Sequence, residues 1–338
     1  MAHRDVVLDA LAFRRPAYVP WAIGLNVDCA ERLRRHLGSD DLSEFLDDHF
    51  LTVGAEVGLF EPAGPGRVRD GYGVTWDRTV DPDIGTPCDW PIKRPADLDA
   101  YEWPEVPEAV FADAAKALAA HPGRFRRYAI GFSLYERAWT MRGMAEFMMD
   151  MVERSGFVDA LLDAIVEHNL AQITRALDLD IDCVHFGDDY GMQTGLQMGA
   201  PLWRRFILPR LERMFAPVRA VGKAVSMHSC GRVQEVFDDL VAIGLNLFNP
   251  FQPEVMDVFD LLPAYRGRLA FHGGMSIQKT LPFGSADDVR EMAGRLIDAG
   301  RDGGYVFSPS HSVPRDVPPA NLVAMMEVLK AQPGRAEA

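Results

Sequence analysis

Met227-His228-Ser229-Cys230-Gly231 sets an imidazole and a thiol two residues apart, directly after an apolar run and directly before a helix-like pattern. A neutral imidazole and a thiolate are good donors for a zinc ion, and the glycine lets the chain turn so that the cysteine can swing toward the histidine. A second element, Ser308-Pro309-Ser310-His311, closes another strand-like run and brings a third candidate ligand, His311, to the same rim. His228, Cys230 and His311 together would make a His2Cys zinc site with an open fourth position, a sound set for catalysis. Glu254 is the first candidate for a fourth ligand, with Gln252 and Asp189 beside it. The plainer alternative makes His228 a strand-end residue bonded to a carbonyl, Cys230 a small buried apolar group and His311 a loop residue.

The elements that must carry these groups follow from hydrophobic patterning. Short apolar runs occur at 18–23, 129–132, 183–187, 224–228, 245–248, 269–273 and 305–308. Longer amphipathic segments lie near 143–154, 157–178, 202–221, 232–243, 256–264, 285–301 and 318–331, each long enough to cross back over a parallel sheet. Ser285 with Asp288 reads as a helix start, Pro201 suits a first helical position, and Gly222 suits a helix end. Allowing one unseen strand, the order predicts an α/β fold, a (β/α)8 TIM barrel. The chain reads as one barrel domain over 1–338 with an N-terminal insertion at about 40–125, in which Gly71-Tyr72-Gly73-Val74-Thr75-Trp76 looks like part of a hairpin.

A barrel gathers its strand ends at one mouth, and the polar residues of this chain collect there. They are Asn26, Tyr135-Glu136-Arg137, Asp188-Asp189-Tyr190, Asn249, Gln252 and His272, besides the three candidate ligands. Asp189 and His272 are the expected catalytic residues, orienting substrate or tuning the ligands. Asn26, Tyr135, Asp188, Asn249 and Gln252 are the expected substrate contacts. Asp188 and Asp189 would serve equally as helix-capping or ligand-supporting carboxylates, and His185 as a satisfied core histidine.

The formal charge of −14 and the absence of any lysine or arginine block interleaved with aromatics argue against a nucleic-acid binder. No apolar stretch reaches the roughly 18 residues of a membrane span, which predicts a soluble, cytoplasmic protein. Cys29, Cys88, Cys183 and Cys230 are far apart and suggest no disulfide framework. A homodimer is compatible with a barrel surface, although no exposed seam marks one.

Gly187-Asp188-Asp189-Tyr190-Gly191, His228-Ser229-Cys230-Gly231, Asn249-Pro250, His272-Gly273-Gly274-Met275-Ser276 and the closing segment 304–321 resemble the uroporphyrinogen decarboxylase superfamily. Within it the chain is similar to the zinc-dependent methyltransferases of cobamide-linked methyl transfer. In the true decarboxylases an arginine-bearing Met-Arg-Gln-Ala-Gly-Arg follows the first strand and receives substrate carboxylates. Here Trp21-Ala22-Ile23-Gly24-Leu25-Asn26-Val27-Asp28 has no arginine, so an octa-anionic tetrapyrrole is a poor match. In the methyltransferase branch His-x-Cys and a later cysteine hold zinc, and zinc activates an acceptor thiol. This chain has His311 in place of that cysteine, which leaves His311 either a ligand or a substrate contact.

The resemblance implies a zinc-dependent methyl or alkyl transferase acting on a thiol, with a corrinoid protein as partner and methyl donor. Two other expectations stand beside it: a cofactor-independent decarboxylase or lyase on a non-porphyrin substrate, and a noncatalytic subunit that binds a corrinoid protein.

Overall fold

A computed structural model of the chain describes residues 2–55 and 60–335. Eleven strands form among them: β1 (Phe50–Ala55), β2 (Phe60–Pro62), β3 (Arg67–Asp70), β4 (Thr75–Asp77), β5 (Thr86–Asp89), β6 (Phe125–Ile130), β7 (Cys183–Gly187), β8 (Ala224–His228), β9 (Leu247–Phe251), β10 (Ala270–Met275) and β11 (Tyr305–Pro309). Seven of these pair in parallel as a curled sheet in the order β1-β6-β7-β8-β9-β10-β11. Strand order follows chain order, and helices such as Ser155–Leu177, Leu208–Ala220 and Ala286–Gly300 make the crossovers. With helices outside and packed side chains inside, strands such as β10 and β11 are buried along their whole length.

The seven strands do not close into the expected eight-stranded barrel, because the segment 18–23, expected as the first strand, is not a regular strand. Phe307 N–H donates to the Pro20 carbonyl (2.8 Å), Ala22 N–H to the Phe307 carbonyl (3.0 Å), and His49 N–H to the Trp21 carbonyl (3.1 Å). The segment thus meets β11 through an isolated bridge between Trp21 and Phe307, and on the other side only the single bond from His49, the residue before β1. Two features prevent a full ladder. Pro20 has no N–H to offer, and Ile23 N–H goes to the Asp48 carboxylate (2.6 Å). The strand the sequence left unseen is β1, which lies inside the stretch 40–125 yet pairs with β6.

The N-terminal end of the sheet is stoppered. Helix His3–Leu11 packs Val7 into a cluster with Phe50, Phe125, Cys183, Leu247, Ala270 and Val306, all buried. Arg4 locks the helix down with its guanidinium on Asp182 (2.7 and 2.9 Å).

Strands β2–β5 form a separate antiparallel sheet, with the β3–β4 turn at the Gly71-Tyr72-Gly73 expected of a hairpin. Asp70 anchors this sheet. It accepts from Tyr72 N–H, Val74 N–H and Trp76 Nε1, and its Oδ2 lies 2.9 Å from Nη1 of Arg137. Both partners of the ion pair are buried, so loss of either strands a charge in the interior, a costly state. The pair holds helix Tyr135–Arg142, and with it Glu136, in a fixed position.

Several local signals take the expected form. Ser285 and Asp288 make a capping box (Ser285 N–H to Asp288, 2.8 Å), and Gly222 follows helix Leu208–Ala220 at φ +71°. Pro201 is the third rather than the first residue of helix Gly199–Leu202, still in the turn that needs no donor. All four cysteines are free thiols. No helix among the described residues is long and apolar enough to cross a membrane.

Candidate metal centre

β8 ends in His228, and the chain then turns through Gly231, whose φ of +83° suits glycine. A Cβ there would overlap the backbone of Gly191, because the loops after β7 and β8 touch at these two glycines. The turn brings Cys230 Sγ to 3.4 Å from His228 Nε2. His311, exposed on the loop after β11, completes the group: one donor atom from each of His228, Cys230 and His311 lies within 4.8 Å of the others. Bonds of about 2.0 Å to nitrogen and 2.3 Å to sulfur at tetrahedral angles put neighbouring donors roughly 3.5 Å apart. The His228–Cys230 pair already has that spacing, so the donor set fits a zinc ion.

His228 is oriented for the task. Its Nδ1 lies 2.7 Å from Asn249 Oδ1, and Asn249 Nδ2 donates to the His272 carbonyl (3.0 Å). An acceptor at Nδ1 selects the tautomer that leaves the Nε2 lone pair facing Cys230. Asp189 supports the other arm. Its Oδ1 accepts from Cys230 N–H (2.7 Å) and lies 3.5 Å from His228 Nε2. Burial, then the neighbouring Asp189, holds the Cys230 thiol far above its ordinary pKa. Without a cation this thiol stays protonated, and a bound cation inverts that balance.

Asp188 is wholly buried, and its carboxylate accepts from Tyr135 N–H (2.8 Å), Glu136 N–H (2.6 Å) and Tyr190 OH (2.7 Å). Burial raises its pKa to about 7 against the opposing pull of those donors. It ties the first turn of helix Tyr135–Arg142 to the end of β7. That helix start presents Glu136, whose carboxyl is held well above its usual range by burial and then by Asp189 and Asp188.

A cavity of about 440 Å³ runs from these groups into the sheet interior. Glu136, Asp189, His228, Asn249 and His311 stand at its upper end, and Arg127, His185, His272, Phe50 and Thr52 form a layer below. Cys230 and Gln252 face a second recess of about 380 Å³ that His311 also borders, so the three donors stand between the two spaces.

The structure brings Asp189, His228, Asn249, His272 and His311 to one cavity, with Cys230 against it. Other expected residues are used differently. Asn26 caps helix Val27–Leu37 by accepting from Cys29 N–H (2.8 Å). Tyr135 is buried, with its hydroxyl donating to Gln197 Oε1 (3.1 Å). Gln252 accepts from Gly231 N–H (3.0 Å) and so holds the cysteine turn. Glu254 is bonded by Ser276 Oγ and lines a separate recess with Lys279, apart from the three donors.

Asp48, Arg127 and Thr52 are cavity residues outside the expected set, whereas Glu136 stands at the mouth where the sequence places it. One signal was available: Arg126-Arg127 interrupts the apolar run of β6, and a charge inside a buried parallel strand needs a reason.

The family model for uroporphyrinogen decarboxylase (URO-D) matches residues 74–332. No curated protein matches the chain. Among solved structures, a methyltransferase from Methanosarcina mazei superposes with a TM-score of 0.72 at 15% identity, covering 98% of each chain. A B12-independent methionine synthase from Shewanella sp. W3-18-1, in complex with selenomethionine, gives a TM-score of 0.43 at 13% identity over 68% of this chain and 67% of its own. At 15% identity the Methanosarcina likeness is one of fold. The family match spans most of the chain and includes every residue of the candidate metal centre, so the chain belongs to the uroporphyrinogen decarboxylase family.

Proposed function

We propose that this protein is a zinc-dependent methyl or alkyl transferase that activates a thiol acceptor, with a corrinoid-carrying partner protein as methyl donor. The observation that carries the reading is the donor set of His228, Cys230 and His311, with His228 already held in its ligating tautomer by Asn249. A zinc ion held there would favour the thiolate form of an acceptor sulfur at neutral pH.

The chain's own groups divide the remaining work. Asn249 fixes the imidazole plane, and Asp189, 3.5 Å from His228 Nε2, is a carboxylate beside the donor set that would take the proton an acceptor thiol must lose. Glu136, whose carboxyl burial holds well above its usual range, lines the same cavity wall beside Asp189. Cys183 is buried beneath the sheet and takes no part.

Elemental mass spectrometry on protein purified without added metal tests the reading against Cys230→Ala and His311→Ala. Near-stoichiometric zinc, lost in both variants, is the expected result. A parent protein that takes up no zinc even when it is offered would remove the mechanism and favour a metal-independent decarboxylase or lyase.

A further inference from the structure

The recess of about 380 Å³ beyond Cys230 and His311 is built from the loops that follow β7, β8, β9, β10 and β11. Two of the side chains lining it are buried and hold unspent hydrogen-bond donors. Gln252 is 7% exposed, and its Oε1 accepts from Gly231 N–H (3.0 Å), which fixes the amide so that Nε2 is the free end. Ser310 is 2% exposed, and its Oγ accepts from Ile277 N–H (3.5 Å). Among the described residues neither Gln252 Nε2 nor the Ser310 hydroxyl proton has an acceptor. A buried donor left without a partner is costly, and two that line one recess call for the same missing group.

The charge of the recess narrows what that group is. None of the lining residues is Asp, Glu, Lys or Arg, and Met192 and Ile277 supply apolar surface. An anion entering there gives up water without meeting a countercharge, and a cation meets N–H and O–H groups where it needs acceptors. Two neutral donors suit a neutral oxygen acceptor, a carbonyl. Gln193 and Gln278, exposed at the rim, carry side-chain oxygens that can accept from an N–H on the same ligand group.

We propose that this recess is a second ligand subsite, which takes a neutral carboxamide of a small molecule with its carbonyl oxygen on Gln252 Nε2 and Ser310 Oγ. It goes beyond the transfer reading and holds whether or not a metal is bound. Its position couples it to the three donors. Gln252 grips the Gly231 turn with one end of its amide and the ligand with the other, and Ser310 directly precedes His311, so the backbone that carries Cys230 and His311 is also the backbone that holds the ligand. The volume of about 380 Å³ has room for on the order of a dozen water-sized groups, so the carboxamide can be one end of a larger molecule.

The test uses the full chain, freed of metal with a chelator and isotopically labelled at its glutamine side chains, titrated by NMR with propionamide and with propionate, its charged isostere. Propionamide is expected to shift the Gln252 side-chain amide resonances saturably and to bind about ten-fold more tightly than propionate. Ser310→Ala should weaken propionamide about three- to ten-fold, the worth of one hydrogen bond. Gln252→Glu keeps an acceptor for Gly231 N–H and removes the free donor, and it should weaken propionamide at least as much, read at the Gln193 and Gln278 amides. If Gln252→Glu does not fold by circular dichroism, Ser310→Ala carries the comparison. The absence of a saturable shift up to the solubility limit of propionamide, equal binding of the two probes, or a folded Ser310→Ala within about two-fold of the parent overturns the proposal. Neither zinc nor a thiol enters this titration. A failure here therefore leaves the metal-content result standing, and a failure there leaves this subsite standing.

Discussion

Asn249→Ala isolates the contribution of one amide to the candidate metal centre. In the parent protein Asn249 Oδ1 holds His228 Nδ1 at 2.7 Å while its Nδ2 is pinned to the His272 carbonyl at 3.0 Å, so β9 sets the imidazole of β8 against β10. Without the amide the ring rotates and the tautomer with Nε2 protonated, which cannot ligate, becomes accessible. Removing such a supporting acceptor lowers metal affinity by about 10- to 100-fold, or roughly 1.4–2.7 kcal/mol. Fold stability should drop by only about 1–3 kcal/mol, the worth of two hydrogen bonds. Zinc affinity is measured by competition with a chromophoric chelator at pH 7.5, with circular dichroism to verify the fold. Asn249→Asp supplies a stronger acceptor at the same place and should bind zinc at least as tightly as the parent. A folded Asn249→Ala that binds zinc within two-fold of the parent would refute the claim that Asn249 orients a ligand.

Two further outcomes follow from local structure. Gly231→Ala places a Cβ against the Gly191 backbone at φ +83°, so thermal denaturation should show a loss of about 2 kcal/mol or more, with zinc uptake impaired; unchanged melting would contradict the close approach of the two loops. His49 is fully buried, with its pKa lowered to about 2 by burial and then by His3, and the Trp21 backbone opposing. Its folded pKa lies below the ordinary value near 6.5, so the unfolded chain takes the proton first and stability is lost as pH falls below 6.5. Between pH 7.5 and 5 the parent should lose about 2 kcal/mol relative to His49→Gln in urea titrations; parallel pH profiles would show that His49 is not held neutral.

The three candidate metal donors were legible because their chemistry is rare and their positions follow apolar runs. His228 and His311 stand at or just past the ends of β8 and β11, and Cys230 turns beside them. Asn249 was legible as a residue but not in its role, since its bond to His228 depends on the register of β9 against β8. Polar residues at strand ends serve two ends, and local sequence does not separate them: Asn26 and Asp188 spend their oxygens on helix N–H groups instead of the cavity. Arg127 and Asp48 escaped because one sits inside a strand and the other in a turn before β1, a strand whose Phe50-Leu51-Thr52-Val53 run was taken into the insertion. The bridged segment at Trp21 has the hydrophobicity of a strand without its ladder, because hydrophobicity alone does not register that Pro20 lacks a donor.

The helix His3–Leu11 that stoppers the sheet also bears on kinetics. A cavity filled at its N-terminal end by Val7, Phe125 and Leu247 has its approach at the end where the strands finish, the end of the metal ligands. Under the proposed transfer, with a donor delivered by another protein, a small acceptor would load before the donor covers that opening and the alkylated product would leave only after the donor departs. Turnover would then run in compulsory order, and the lifetime of the docked complex, rather than the transfer itself, would set its rate.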